Sequence, residues 1–218
     1  MKRAFVLAII FALGALGGCT SAYYSVMQKL GKEKRDILVQ RVKDSKKDQQ
    51  DTKEKLQTTM ESFQALTGFQ GGSLEKSYKK LNGDYQSAAD QVGKLHDRIE
   101  SIDQVSSDLF TEWQGEIDQM GNAKLKAKSS AMLKDAEVRQ ASYVKAMRTT
   151  ELRIAPVMAA FRDQVLFLKH NLNARAIGSL KATSATMDSN VTALMKSIDG
   201  SMSEADTLIA SLTATDSN

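Results

Sequence analysis

The feature that most constrains this fold is a run of apolar positions, alternately three and four residues apart, through residues 73–120. A mean spacing of 3.5 residues places these side chains on one stripe of an α-helix, which then packs as a left-handed coiled coil. The pattern predicts a single helix about 70 Å long. The stripe consists of Leu74, Tyr78, Leu81, Tyr85, Ala88, Val92, Leu95, Ile99, Ile102, Leu109, Trp113 and Met120, with Ser106 and Glu116 in the remaining slots.

The composition favours helices throughout the chain. The 218 residues include one Pro and 13 Gly, whereas an all-β sandwich or barrel needs a turn about every 8–12 residues. The single Cys excludes an internal disulfide framework, and one Cys with two His is too few for a zinc site of His and Cys. We therefore expect an all-α protein that holds no metal and no cofactor.

Gly121 and Asn122 separate the first long helix from a second one. Gly suits the residue after a helix, and Asn suits the N-cap of the next helix. So short a connection makes the two helices antiparallel, with Ile102 close to Tyr143 and Trp113 close to Met132. The second stripe consists of Leu125, Met132, Ala136, Tyr143, Met147, Ile154, Val157, Phe161, Val165, Leu168 and Leu172.

Two positions in this second helix disturb its regularity. Pro156 removes a backbone hydrogen bond, so we expect a kink or a break near residues 152–156. Residues 169–175 are compatible with either a turn or continuous helix. Beyond them the stripe is regular again, at Ile177, Leu180, Ser184, Met187, Val191, Leu194, Ile198, Ala205, Leu208 and Leu212.

The first part of the chain, residues 20–67, predicts a helix with an uneven apolar face. Residues 43–55 contain no apolar side chain, so as a helix they would be polar on every side, about 20 Å of solvated rod. Disorder is the alternative for this segment. Gly68, Gly71 and Gly72 then end the helix, and Ser73 is a suitable N-cap for the next one.

The amino terminus has the organisation of an export signal. Lys2 and Arg3 precede residues 4–16, thirteen uncharged and mainly apolar residues, which are too few to span a bilayer and are typical of a signal peptide. The sequence Leu16-Gly17-Gly18-Cys19 resembles the lipobox of bacterial lipoproteins. The resemblance implies cleavage between Gly18 and Cys19 and attachment of lipid to the Cys19 thiol. An ordinary signal peptide and an uncleaved anchor are the alternatives.

Residue Thr20 bears on the location of such a lipoprotein. An Asp at this position favours retention in the inner membrane of enteric-type bacteria, and its absence here resembles the outer-membrane pattern. We therefore expect the inner leaflet of the outer membrane, with the protein facing the periplasm. Nucleic acid is not an expected partner there.

Motifs of common enzyme chemistry do not occur. The sequence contains no phosphate-binding loop, no G-x-S-x-G and no H-E-x-x-H. His96 and Glu100 are four residues apart and are expected to form an exposed pair, while His170 suits a helix C-terminus. We expect no enzymatic activity and no catalytic or cofactor-binding residues.

Charge gives one indication of a partner. Residues 29–55 hold ten Lys or Arg and six Asp or Glu, and basic residues close to a lipid anchor can attract anionic headgroups. The alternative is a solvated helix of mixed charge.

Three stretches resemble a bacterial lipoprotein family described only as domain of unknown function 2959. They are YYSVMQKLGKEKRDILVQRV at residues 23–42, LFTEWQGEID at residues 109–118 and DQVLFLKHNLNARAIGSL at residues 163–180. The resemblance covers nearly all of the chain beyond the signal. It implies a helical, lipid-anchored envelope protein and carries over no activity.

Together these patterns predict long antiparallel helices forming an extended coiled-coil bundle. We divide the chain into a signal peptide (1–18), a lipid-anchored N-terminal helix with a polar stalk (19–72), an antiparallel helical hairpin (73–172) and a C-terminal amphipathic helix (173–218). The expected function is a structural or interaction scaffold that binds an envelope protein or its own copies through the helix flanks. A periplasmic holdase or an accessory subunit of an envelope transport or assembly complex is the alternative.

Overall fold

A computed structural model describes residues 33–69 and 71–213 as four α-helices and their connections. The helices are α1 (Lys34–Thr67), α2 (Leu74–Gln119), α3 (Ala123–His170) and α4 (Ala174–Thr213). These described ranges contain no strand. The prediction of an all-α fold made of long helices is confirmed.

The four helices form a single bundle. Helices α1 and α3 each pack against both α2 and α4, so the helices follow one another around the bundle in chain order. Short connections make each helix antiparallel to the next, which is the up-down-up-down arrangement. Since α2 has 46 residues, the bundle is about 70 Å long.

Hydrogen bonds between α2 and α3 confirm the predicted hairpin. The indole Nε1 of Trp113 donates to Ser129 Oγ at 2.8 Å, and Gln140 Nε2 donates to Asp103 Oδ1 at 3.0 Å. Both pairs lie almost symmetrically about Gly121 and Asn122. The turn at these two residues therefore sets the register of the hairpin, as the sequence predicted.

Side-chain caps start three of the helices, two of them where the sequence suggested. Ser73 Oγ accepts from the backbone N–H of Lys76 at 3.2 Å, and Asn122 Oδ1 accepts from Lys124 and Leu125 at 3.0 and 3.1 Å.

Residues 169–175, for which the sequence left both a turn and continuous helix open, contain a turn. Asn171 ends α3, and Asn173 Oδ1 accepts from the N–H of Ala176 at 3.0 Å.

The apolar stripes of all four helices meet in one core. The stripe of α4 is buried at every predicted apolar position. Phe63 of α1 and Phe161 of α3 meet edge to face, with ring centroids 6.3 Å apart, a favourable geometry for aromatic rings. The bundle is therefore held chiefly by its apolar interior.

Three expectations for α3 are wrong. Leu125 is 58% exposed and Met132 is only half-buried, while Leu133 takes the buried position. The reason is that the start of α3 extends past the described ends of α1 and α4, so only α2 covers it. Of the kink or break expected near residues 152–156, the break is absent, because α3 stays helical through Pro156, and the kink stays a prediction. Pro156 lies at the surface, where water can bind the carbonyl group that loses its partner.

The prediction that residues 43–55 are solvated on every side is wrong as well. This segment is helical, and its uncharged residues Ser45, Gln49 and Thr52 are buried in the core. They continue the 3.5-residue stripe of α1, whose buried positions are Leu38, Val42, Ser45, Gln49, Thr52, Leu56, Thr59, Phe63 and Leu66. A spacing of alternately four and three residues that starts at Leu38 and includes polar residues predicts all of these positions.

Candidate functional site

The most unusual part of the core is a layer of polar side chains that joins α1 to α3. Tyr143 donates its hydroxyl proton to Ser45 Oγ at 2.9 Å and accepts from Gln49 Nε2 at 3.1 Å. Ser45 Oγ in turn lies 3.5 Å from Met147 Sδ, to which it donates. All four side chains are buried. We call them the polar layer.

The electrostatics of the polar layer do not suit acid–base chemistry. Burial raises the pKa of Tyr143 to about 12, and the hydrogen bonds of its hydroxyl with Ser45 and Gln49 only partly oppose this rise. The phenol therefore stays protonated at neutral pH. Two buried side-chain oxygens have no hydrogen-bond partner within the described ranges. They are Gln49 Oε1 of the polar layer and Ser201 Oγ of α4. These features indicate a structural layer.

An ion pair closes the edge of the bundle beside the polar layer. Arg98 Nε of α2 lies 2.8 Å from Asp48 Oδ2 of α1, and Gln91 Nε2 donates to the backbone carbonyl of Asp48 at 3.2 Å. Arg98 and Asp48 are both mostly buried. This pair shields the polar layer from solvent on the α1–α2 face.

The two histidines lie apart from each other. His96 Nδ1 is 2.6 Å from Glu151 Oε1 of α3, and the predicted pairing with Glu100 is wrong because Glu100 accepts from Arg148 Nη2 at 3.1 Å. The hydrogen bond that the His96 ring donates to Glu151 and the negative charge of Glu151 raise the pKa of His96. His170 is the last residue of α3, at the helix C-terminus as predicted.

The described part of the chain contains neither a cluster of metal ligands nor a helix that could span a membrane. Nowhere in it do three His, Cys, Asp or Glu side chains come together as they would around a metal ion. None of α1 to α4 combines the length and the apolar character that crossing a bilayer requires.

The α2–α3 turn forms the second distinctive region, which we call the hairpin tip (residues 113–132). Lys34 Nζ at the start of α1 lies 3.3 Å from Glu112 Oε2, so α1 begins just below the tip. Ser142 of α3 hydrogen bonds to Glu204 of α4 at 3.0 Å, which puts the end of α4 opposite the region of Leu133. Among the described residues, the tip therefore contains two helices where the rest of the bundle contains four.

The surface of the hairpin tip combines apolar and basic side chains. Met120, Leu125 and Met132 border a groove of about 360 Å³ that also includes Lys128. The α3 side of the hairpin tip, residues 122–132, contains three Lys and no Asp or Glu, whereas the α2 side contains Glu116 and Asp118. A contact surface at this position was not among the predictions from the sequence. Its signal was the alternation of Lys with small or apolar residues over residues 124–128.

The predicted lipid-attachment residue Cys19 and the cleavage position Gly18 lie outside the described residues. Their roles remain predictions. The described chain starts at Glu33, which together with Trp113 and Glu116 lines a second groove at the base of the hairpin tip. The segment that carries Cys19 therefore joins the bundle at its tip end.

Comparisons with known proteins identify one family. The family model described as "Protein of unknown function (DUF2959)" matches residues 23–212. No curated protein and no solved structure matches the chain significantly.

Proposed function

The chain belongs to the DUF2959 family, and from the architecture of its bundle we propose that it is a non-catalytic, lipid-anchored scaffold of the bacterial cell envelope. In this proposal Cys19 carries the lipid in the inner leaflet of the outer membrane, and the helices extend into the periplasm. Helix flanks bind an envelope protein or a second copy of the chain. The observation that carries the proposal is the closed, elongated bundle.

Closure of the core favours a scaffold over a holdase. A holdase grips clients with accessible apolar surface, whereas the apolar stripes here are used within the bundle. Outside the hairpin tip, the exposed large apolar side chains of α3 lie at Val138, at Leu152 and at the neighbouring Leu166 and Phe167, and these three places are each 14 residues apart, or about 21 Å along the helix axis. These separate positions do not form a continuous apolar groove on the described part of α3.

The direction in which the chain enters the bundle also supports the proposal. Cys19 precedes Glu33 by 14 positions, and Glu33 lies at the tip end of the bundle. The opposite end, where residues 68–73 and 171–173 connect the helices, is then about 70 Å away from the anchored end. A rod of this kind presents its flanks at defined distances from the membrane.

The anchor is tested by metabolic labelling with a palmitate analogue in a bacterial host. Cys19→Ala should abolish incorporation, because Cys19 is the only thiol in the chain. Thr20→Ala is the matched control and should keep the label, because it leaves residues 16–19 unchanged. Label that persists in the Cys19→Ala protein contradicts the proposed attachment.

The scaffold role is tested by photo-crosslinking in living cells. A photoreactive residue at the exposed position Leu152 should give one or a few discrete adducts with envelope proteins or with the chain itself. The same residue at the buried position Ile99 should give none between chains. A broad set of unrelated polypeptides at Leu152 favours the holdase instead, and identification is by mass spectrometry.

A further inference from the structure

We propose that the hairpin tip docks on anionic phospholipid headgroups and so forms a second membrane contact beside the lipid on Cys19. This inference rests on the proposed lipid anchor and adds a site to it. The contact is made by the basic residues Lys124, Lys126 and Lys128 and by the exposed side chain of Leu125. It fixes the orientation of the rod, which a flexible lipid tether alone leaves free.

The charge of the hairpin tip is unfavourable within the protein itself. Lys124, Lys126 and Lys128 lie in the first turns of α3, whose first turn contains no acidic residue. The N-terminus of a helix carries the positive end of its dipole, so cations there are destabilising. Lys124 and Lys128 form no ion pair with any described residue, and Lys126 donates only to the backbone carbonyl of Asp118 at 3.3 Å. An external anion supplies the missing compensation.

The basic residues of α1 are placed differently. Lys46 and Lys53 lie 2.6 Å from Asp206 and Asp199 of α4, so both already have carboxylate partners within the bundle. The charge pattern of the sequence suggested residues 29–55 as a region that attracts anionic headgroups. The contacts of these two lysines with α4 favour the hairpin tip as the headgroup-binding region.

Apolar surface at the hairpin tip matches a membrane interface. Leu125 is 58% exposed, and Met120 and Met132 are half-buried beside it. Only α2 and α3 reach this level, and no other helix of the described residues covers these side chains. Lys side chains flanking exposed apolar ones are typical of surfaces that insert shallowly among phospholipid headgroups.

Distances along the chain allow the tip and the lipid to reach the same membrane. From the level of Glu112, beside which α1 begins, to Gly121 is nine residues, or about 14 Å of helix. The thirteen residues between Cys19 and Glu33 span about 20 Å even at the helical rise and up to about 45 Å when extended. The tip therefore lies within reach of the surface that holds the lipid.

The test uses the mature full-length protein, purified from membranes and reconstituted into vesicles. Gly121→Cys places a thiol at the tip for an environment-sensitive dye, and Gly71→Cys places one at the opposite end. A Cβ meets nothing within 4 Å at either glycine, so neither change disturbs packing. The vesicles contain phosphatidylcholine alone or with phosphatidylglycerol, and each is prepared with and without a lipid-borne quencher.

We expect the dye at position 121 to be quenched in vesicles with phosphatidylglycerol and much less in neutral ones, while the dye at position 71 is unaffected in both. Lys124→Gln, Lys126→Gln and Lys128→Gln should each weaken docking about fivefold, and Leu125→Asn should weaken it as well. Raising the salt concentration should release the tip, since charge attraction is screened. Circular dichroism verifies that the variants stay folded.

Three results overturn the proposal. One is equal quenching at positions 121 and 71, which means that the rod lies flat. Another is a dye at position 121 that is shielded without vesicles, which means that residues 20–32 cover the tip. The third is self-quenching that rises with protein density, which means that a second copy covers it.

The anchor is judged separately in the same experiment. Lipid on Cys19 blocks its thiol, so dye bound to the chain without an added cysteine shows that the anchor proposal is wrong. The tip is then measured with Gly121→Cys in a Cys19→Ala background by titration with the same two kinds of vesicle. Failure of docking to anionic vesicles there rejects the tip independently of the anchor.

Discussion

The core of this bundle has two regions of opposite character, although both join α1 to α3. Phe63 and Phe161 meet ring to ring within the apolar core. Around Tyr143 the same two helices meet through hydroxyl and amide groups. The two regions use the same 3.5-residue stripe, so the difference lies in chemistry and not in backbone geometry.

The apolar region contributes mainly to the stability of the fold, whereas the polar layer contributes mainly to the specificity of helix pairing. Burial of apolar area contributes about 25 cal/mol per Å², and one apolar residue can replace another at little cost when volume is conserved. A slip of α3 along α1 by one heptad would therefore disturb the apolar region moderately. The same slip would bury Tyr143, Ser45 and Gln49 without their partners, at about 1–3 kcal/mol each. We infer that the polar layer sets the register of α1 against α3.

The largest effect is expected in the apolar region. Phe161→Ala removes a fully buried ring and leaves a cavity against Phe63, so the free energy of unfolding should fall by about 3–5 kcal/mol. Urea denaturation followed by circular dichroism measures it. Phe167→Ala on the same helix is the control, because Phe167 is 41% exposed, and it should cost less than about 1 kcal/mol. Equal losses for the two would show that the ring contact is not central to the core.

A smaller effect is expected in the polar layer. Tyr143→Phe keeps the ring but deletes the hydroxyl that binds Ser45 and Gln49, so unfolding should become easier by about 1–3 kcal/mol. Urea denaturation followed by circular dichroism measures this loss.

Ser201→Ala is the matched control for the polar layer. It also deletes one buried hydroxyl, but that hydroxyl has no partner among the described residues. Its loss should change the free energy of unfolding by less than about 1 kcal/mol, in the direction of greater stability, since an unpaired buried polar group is itself unfavourable. A cost as large as that of Tyr143→Phe would mean that burial alone, and not hydrogen bonding, explains the polar layer.

The smallest effect is expected where a polar contact between helices lies at the surface. Glu151 raises the pKa of His96 above the value of about 6.5 in an unfolded chain, so the imidazolium form favours the folded state. This contribution is fully present below about pH 6.5 and is lost as pH rises through the raised pKa. Glu151→Gln should return the pKa of His96 toward 6.5 in an NMR titration of its ring protons. An unchanged pKa would show that the contact does not persist in solution.

Local signals were sufficient for most of the helices. The stripe of α4 was predicted because its apolar residues recur without interruption, and the caps at Ser73 and Asn122 were predicted because they depend only on adjacent residues. The stripe of α1 was missed at Ser45, Gln49 and Thr52, since a polar side chain gives no hydropathy signal even when its position is buried. The polar layer could not be predicted for the same reason.

The candidate contact surface at the hairpin tip was also beyond sequence reasoning. Leu125 has the spacing of a core residue, and the lysines that alternate with it over residues 124–128 do not by themselves decide whether another helix covers it. Within the described residues α1 starts beside Glu112 and α4 ends near the level of Leu133, so neither covers Leu125, which is a relation between distant segments. Likewise, His96 lies four residues from Glu100 and yet binds Glu151, because the α2–α3 register brings the second carboxylate closer.

The sequence by itself determined the all-α class, the positions of the turns at residues 121–122 and 68–73, and the antiparallel course of α2 and α3. These properties follow from side-chain periodicity, glycine and capping residues, all of which act within a few residues of one another. The tertiary structure alone decided which polar residues enter the core, which charges pair, and how far the hairpin tip extends beyond its neighbours. Those outcomes depend on the relative lengths and register of four helices, and such relations arise only when distant segments pack together.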